Sequence, residues 1–451
     1  MKKGEIPKKY VGKPRNSFSS LTASEECLWS HYLKHILRVK DRDNFWNLNG
    51  SSVHDLLEER KLGKITNKEM ILRYKTDFDT IESGGYRLDD DEGKNIEKTT
   101  SYRNCILNYM ENYTQTDNII YEELESEMWT EIDGHIIRGF IDHYYQTKKG
   151  NKITHHIRDY KTSSLYAKGK RFHYGRQLML YATYLIDKGI KIKDIALEFD
   201  FIKYTKVTFL KPEVYNITIQ NSEMYEQLME NDIIKSKRCK TVKYDGFIEK
   251  EIFPKRDEIG IKLRASLKMI LRKEYYTEDE IESIVDRICT SNNINDIPKH
   301  IINKYQFKVD RALISIEFNK TIYQEMLDSL LPLAENMADI RKLSENATDE
   351  EIIKLYERQP INPSQSFFCS KLCGVNYECK YYANYLEKRS NGESSDYIES
   401  VSDELIISDD MLDELDGLDL SVGDSDEKSN ETDSKSDEVS IFDLDSFFDD
   451  L

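Results

Sequence analysis

After the polar run SFSSLTASEEC, apolar residues return at helical spacing: Leu28, Trp29, Tyr32, Leu33, Ile36 and Leu37. Positions three and four apart share one face of a helix, and Ser and Thr ahead of the run are suited to cap it. The pattern predicts a helical region from residue 1 to about 90. From about 119 to 205 the period shortens to two. IIYEELESEMWTEIDG, HIIRGFIDHYYQT and KITHHIRDYKTSS read as strands, and Lys149-Gly150-Asn151 turns the last two into a hairpin. A helical run from about Phe172 to Lys188 follows, then the strand-like ALEFDFIKYT. From about 210 to 365 helical periodicity dominates again, in EIGIKLRASLKMILRKEY and TIYQEMLDSLLPLAENMADIRKL, which reads as a mainly helical insertion or second lobe. Past Arg389 apolar residues thin out while Ser, Asp and Glu dominate. Such a stretch cannot bury enough apolar surface to offset chain entropy, and disorder is expected.

The 451-residue length implies two or three domains, and 39% hydrophobic residues suffice for a real core. No segment approaches the roughly 18 uninterrupted apolar residues of a membrane span. The opening MKKGEIPKKYVGKPRN is basic but lacks the apolar centre of a secretory signal. A cytoplasmic location is expected, with its cysteines reduced. Net charge changes the picture most. The total of −18 argues against a polyanionic partner, but residues 390–451 hold 22 acidic residues against two lysines. The rest carries 63 basic and 61 acidic residues, so the body is near neutral and free to present basic faces.

Candidate chemistry lies in the strand region. Gly139-Phe140-Ile141-Asp142 is followed, sixteen residues on, by Asp159-Tyr160-Lys161. Residues two apart on a strand share a face, so Asp159 and Lys161 project together, and the hairpin can set Asp142 beside them. Paired carboxylates repel unless a cation sits between them, and hard oxygen ligands suit Mg²⁺ or Mn²⁺. Such an ion activates water and neutralises phosphodiester charge, while an ammonium orients the nucleophile. A bare D-x-K is common on solvated strand edges; its neighbours mark this one. Gln177 and Tyr181, four residues apart, share a face of the next helix and could contact a DNA backbone or the lysine.

The order G-F-I-D, D-Y-K, Q-x-x-x-Y resembles the PD-(D/E)XK nuclease superfamily, specifically its RecB-like branch. That branch includes nuclease domains of recombination helicase-nucleases and CRISPR-adaptation exonucleases. The resemblance implies an α/β, restriction-endonuclease-like fold: a mixed central sheet flanked by helices. It implies Asp142 and Asp159 as metal ligands and Lys161 as the catalytic ammonium. The family's upstream Gly-x-x-x-His matches Gly50 to His54, which makes His54 a further ligand. Glu125 and Glu127 lie on the strand before Asp142, where the family often carries an acid; the sequence does not say which faces the site.

Cys369, Cys373 and Cys379 fall within eleven residues, a density that points to metal. A subset of the RecB-like branch carries an iron staple, one Cys before the nuclease core and three after it, on a 4Fe-4S cluster. Its S-x-S-x-L context resembles Ser17 to Leu21, which implies Cys27 as fourth ligand. Leu28 stands where that subset commonly has Pro, and C-x3-C where it often has C-x2-C. Four thiolates also suit structural Zn²⁺.

The terminus DEVSIFDLDSFFDDL returns apolar bulk to a polar tail, as docking peptides do. Leu444, Phe447 and Phe448 resemble the plug that binds a sliding clamp, and the ending also resembles acidic tips of phage single-stranded-DNA-binding proteins. A clamp, such a binding protein or a helicase is the expected partner beside DNA. With a composition rich in Lys, Ile, Asn and Tyr, these features suggest a bacteriophage origin. The expected organisation is a basic arm (1–16), nuclease core (17–209), helical insertion (210–359), cysteine staple (360–389), acidic linker (390–435) and docking peptide (436–451). Two functions compete: a DNA nuclease, expected to be an exonuclease in recombination, replication or repair, and a non-catalytic DNA-binding or replisome adaptor on the same fold. No G-x-x-x-x-G-K-[ST] phosphate loop is present, so any unwinding belongs to a partner.

Overall fold

The structure, a computed structural model, describes residues 6–86, 88, 96–218, 241–345, 347–358, 361 and 368–391. The expected acidic linker beyond 391, the docking residues Leu444, Phe447 and Phe448, and Cys239 lie outside the described residues.

Seven strands build one mixed sheet: β1 (Arg15–Asn16), β2 (Ile119–Ile132), β3 (His135–Lys149), β4 (Lys152–Lys161), β5 (Ile195–Thr218), β6 (Thr241–Ile252) and β7 (Lys308–Ile316). The order is β1-β3-β4-β5-β6, with β2 also on β3 and β7 also on β5. β2, β3 and β4 form an antiparallel meander, whereas β4 and β5 are parallel. Parallel neighbours need a crossover, which helix α6 (Arg171–Asp187) supplies in the continuous order used below. Before β2 come α1 (Phe18–Glu26), α2 (Leu28–His31), α3 (Phe45–Lys61), α4 (Asn67–Ser83) and α5 (Ile96–Glu111). Side chains fix several starts: Ser17 and Ser20 make a reciprocal capping box on α1, Asn44 caps α3, and Thr66 with Glu69 caps α4.

The sheet is covered on both faces. On one, Leu178, Met179, Ala182 and Leu185 of α6 pack with Leu21 of α1 against Ile157, Phe199 and Phe201. On the other, Val53 and Leu56 of α3, Phe78 of α4 and Tyr109 of α5 pack against Tyr160 and Ile202. Covering both faces buries polar residues of β5 as well: Asp200, Lys203 and Thr205 lie inside beside Phe199, Phe201 and Ile202.

The boundary expected at 209/210 falls inside β5, and the region after it is not helical throughout. It contributes β6 and β7, and β7 pairs with the first half of β5 while β6 pairs with the second. β7 escapes a search for long periodic runs because only Ala312, Ile314 and Ile316 alternate inward. A separate helical core joins Val207 and Phe209 to Leu263, Leu267, Val285 and Ile288 from helices Ile259–Lys273 and Glu278–Ser291. The long helix Lys320–Ser344 then returns to the sheet with Met326 and Leu330. Its last turns, with Met337 and Ile340, pack beside Trp29, Tyr32 and Cys27. Among the described residues, no helix is long and apolar enough to cross a membrane.

Candidate functional site

The site forms where β3 and β4 part. Their pairing runs from Lys149 and Lys152 to His143 and Arg158 and then stops, just short of Asp142 and Asp159. Side chains take over from the ladder. Asp142 Oδ2 accepts the Tyr160 backbone N–H at 3.1 Å. From α3, His54 Nε2 lies 2.8 Å from the Tyr160 carbonyl oxygen, while its Nδ1 lies 3.4 Å from Asp142 Oδ2. A carbonyl can only accept, so Nε2 is the donor there, and Nδ1 is the nitrogen turned towards the carboxylate. A metal-binding histidine uses its two nitrogens in this way, one anchored to the backbone and the other towards the ion.

β2 supplies a third group through a break in its own pattern. Glu125 has φ of 46°, in the left-handed region that side chains other than Gly, Asn and Asp seldom enter. The alternation changes phase there: Tyr121 and Glu123 line the same cavity as Ser126, and Met128 continues that side into the core. β3 shifts likewise, with Ile137 and Ile141 sharing a core with Tyr144. Ligand atoms of His54, Glu125 and Asp142 consequently lie within 4.8 Å of one another, the one such group of three among the described residues. Glu127 instead accepts from Arg138 Nε at 2.9 Å and the Trp129 indole at 3.2 Å. Of the two acidic candidates, Glu125 faces the site.

Asp159 and Lys161 stand alongside as an ion pair, with Lys161 Nζ 2.7 Å from Asp159 Oδ2. Asp159 is not in the group of three. Burial works against the Lys161 charge, but Asp159 outweighs it and holds the ammonium pKa above its usual value. Burial and then the Asp159 charge push the Asp142 carboxyl up to about 7. A bound cation reverses both influences. Two carboxylates and one imidazole, all hard or borderline donors, fit the Mg²⁺ or Mn²⁺ that nucleases of this kind use.

Gln177 and Tyr181 do share one face of α6, and Gln177 Nε2 donates to Tyr181 Oη at 2.9 Å. Tyr181 reaches the sheet because position 139 has no side chain. A Cβ on Gly139 would lie 2.7 Å from Tyr181 Cε1 and 2.8 Å from Met128 Cε. Burial raises the Tyr181 pKa, so the phenol stays neutral beside Asp159 and Asp142.

The connection after β4 also belongs to this neighbourhood. Lys168, Lys170 and Tyr174 are exposed, and Tyr174 stacks on Tyr166, ring centroids 4.0 Å apart, next to Lys161. The signal was present in the sequence as a basic and aromatic run, LYAKGKRFHY, shortly after D-Y-K.

Cys27, Cys369, Cys373 and Cys379 line one small pocket, together with Leu33, Phe368 and Val375. Cys27 caps α2, accepting the Ser30 N–H at 3.3 Å, and also accepts from Arg358 Nη1 at 3.0 Å. Burial pushes the Cys369 thiol up to about 12 and raises Cys379 as well. No three of these sulfurs come within 4.8 Å of one another. The segment carrying the last three is tied to the chain before α3: Arg42 N–H donates to the Gly374 carbonyl at 2.8 Å, and Tyr377 Oη to that of Lys40 at 2.7 Å. A Cβ on Gly374 would collide with Arg42 and Asp41, so only glycine permits that approach. Cys105 and Cys289 lie elsewhere, Cys105 donating to Asp257 Oδ1 at 3.0 Å and Cys289 packing in the helical core.

No curated protein matches the chain. Residues 15–245, over half of its length, match the family model of the PD-(D/E)XK nuclease superfamily. That span takes in the α3 histidine, the kinked β2 glutamate, the β3–β4 carboxylates and the α6 pair. With mixed sheet, flanking helices and matched span in agreement, the chain belongs to the PD-(D/E)XK nuclease superfamily.

Proposed function

We propose that this chain is a metal-dependent DNA nuclease of the RecB-like branch, an exonuclease acting on DNA ends or single strands in recombination, replication or repair. One observation carries the reading: His54, Glu125 and Asp142 converge beside the Asp159–Lys161 ion pair. These residues, with Asp159, would hold Mg²⁺ or Mn²⁺. When bound, such an ion supplies an activated water and a counter-charge for the phosphodiester. The chain supplies the rest. Lys161, kept protonated by Asp159, orients the attacking water and balances charge on the phosphate oxygens. Lys168, Lys170 and Arg171 attract the strand's phosphates, and Tyr181, braced by Gln177, borders the scissile position. A non-catalytic adaptor would have no use for an intact carboxylate set paired with a charged lysine.

The four cysteines are read as ligands of a 4Fe-4S cluster. A tetrahedral zinc with Zn–S of about 2.3 Å would hold its sulfurs about 3.8 Å apart. Sulfurs spread more widely suit a larger group, and Arg358 donates to Cys27 at the same pocket. Its role is structural. The tail residues Leu444, Phe447 and Phe448 are read as a docking peptide for a sliding clamp, single-stranded-DNA-binding protein or helicase in the cytoplasm of a phage-infected host.

The test is cleavage of linear and circular DNA by the full-length protein with Mn²⁺ or Mg²⁺. Release of nucleotides from linear DNA is expected, lost in Asp159→Ala and Lys161→Ala and retained on naked DNA when residues 436–451 are deleted. Cleavage that survives both substitutions would overturn the assignment.

A further inference from the structure

The proposed hydrolysis leaves one cavity unused. Its volume is about 250 Å³, and it lies between the C-terminal turns of α6 and the β2–β3–β4 meander. Ser126 and Ile141 line it on the α6 face of the sheet, and in the chain they adjoin Glu125 and Asp142 of the metal group. Along α6, Tyr184 and Lys188 follow Tyr181 on the same face by three and seven residues. A rise of 1.5 Å per residue puts them roughly 5–10 Å beyond it.

The lining has two characters. Tyr121, Tyr144, Tyr184 and His155 present rings, Tyr144 and His155 being stacked with centroids 6.1 Å apart. Between them stand polar groups with donor and acceptor capacity. Gln146 Nε2 donates one hydrogen to Tyr144 Oη at 2.8 Å, which leaves a second N–H and the amide oxygen. Glu123 is held by Ser126 Oγ at 2.6 Å and by Tyr121 Oη. A fixed carboxylate inside repels phosphate. The cation is at the edge: Lys188 is exposed, its Nζ 3.9 Å from the Tyr184 ring centroid. Flat aromatic walls, an amide and a carboxylate within, and an ammonium outside match a nucleobase whose own phosphate stays at the rim.

We propose that this cavity takes one unstacked base of a single-stranded nucleic acid whose strand runs along α6 past Tyr181 towards the metal group, an inference that rests on the nuclease reading above. A base within a duplex has both faces covered and its edge paired, so only a strand that is single or frayed can fill the cavity. The site would then select unpaired ends by shape, without a separate unwinding element.

Binding without cleavage isolates this claim. The full-length protein in chelator is titrated with fluorescent single-stranded oligonucleotides, intact or carrying one abasic nucleotide at successive positions. Loss of one base at one position should weaken binding about tenfold, the scale of a single base–aromatic stack. Tyr121→Ala with Tyr184→Ala should remove that penalty while leaving affinity for the abasic strand unchanged; Tyr121→Phe with Tyr184→Phe should keep it. Equal affinity of the unaltered protein for intact and abasic strands would overturn the base pocket and leave the nuclease reading standing. Failure of the nuclease reading shows separately, as no cleavage of any DNA with Mn²⁺.

Discussion

The metal group and the cysteine pocket both collect residues from distant parts of the chain, but they are built on opposite principles. His54, Glu125 and Asp142 are held close by backbone geometry: a carbonyl fixes the imidazole, an amide fixes the carboxylate, and a kink aims the glutamate. The cysteines surround a space in an apolar cluster with Trp29, Tyr32 and Val375. The first arrangement gathers hard donors about a point and suits a small ion that exchanges and reacts. The second spaces soft donors around a volume and suits a group that stays. The roles proposed for them differ accordingly: chemistry at the first, a tie between distant parts of the chain at the second.

That contrast can be broken from either side. The largest effect is expected from Asp159→Ala or Lys161→Ala, each lowering cleavage at least about 100-fold, the scale of losing a preorganised charge at a reacting centre. The visible absorbance of the same proteins should be unchanged, although the melt shifts because each substitution strands one member of a largely buried ion pair; loss of the absorbance would merge the two regions. Next is Cys369→Ser. It should abolish the visible iron–sulfur band and lower the melting temperature, with activity lost through unfolding and not restored by added Mn²⁺. Iron and sulfide analysis of the unaltered protein sharpens this, since zinc in their place would remove the distinction between point and volume. Glu125→Gln and His54→Ala should each weaken activation by Mn²⁺ by at least roughly 10–100-fold, the penalty typical of even an outer-shell partner. Glu127→Gln should not, as a Mn²⁺ titration of the cleavage rate would show.

The smallest effect is one on stability, through Asp142. Its carboxyl is held near 7 in the fold against 3.8 for an ordinary aspartate. Between those values the folded, metal-free protein binds more protons than the unfolded chain, so its stability falls as pH rises from about 4 to about 7. Asp142→Asn removes that dependence. In chelator at pH 8 it should melt above the unaltered protein, by roughly 2–4 °C for each kcal/mol recovered, with the gap closing towards pH 4. The same substitution should abolish cleavage. A melting temperature that fell at pH 8 would show that the carboxylate is not strained there.

Much of the core was legible in the sequence because its signals are local. β2, β3, β4 and α6 lie almost where period-two and period-3.6 patterns put them. Asp142, Asp159, Lys161 and His54 could be named through their order. What escaped depends on geometry that period cannot encode. Strict alternation in β2 could not choose between Glu125 and Glu127, because a left-handed residue reverses the phase at that point. β6 and β7 went unread because they are partly exposed strands among strong helical runs, and their place is fixed only by pairing with β5. Cys27 was nominated by resemblance; no local pattern joins it to residues more than three hundred positions later.

That separation sets a timetable for the newborn chain. Cys27, Trp29 and Tyr32 leave the ribosome first, and their neighbours Val375 and Cys379 emerge some 350 residues later. At 5–20 residues per second the delay is roughly 20–70 s. Throughout it, the amino-terminal segment exposes two aromatic rings and an unmatched thiol, a target for chaperones and oxidants alike. The sheet core can pack before this cluster of side chains closes, which places the union of its two distant segments late in the folding of the body.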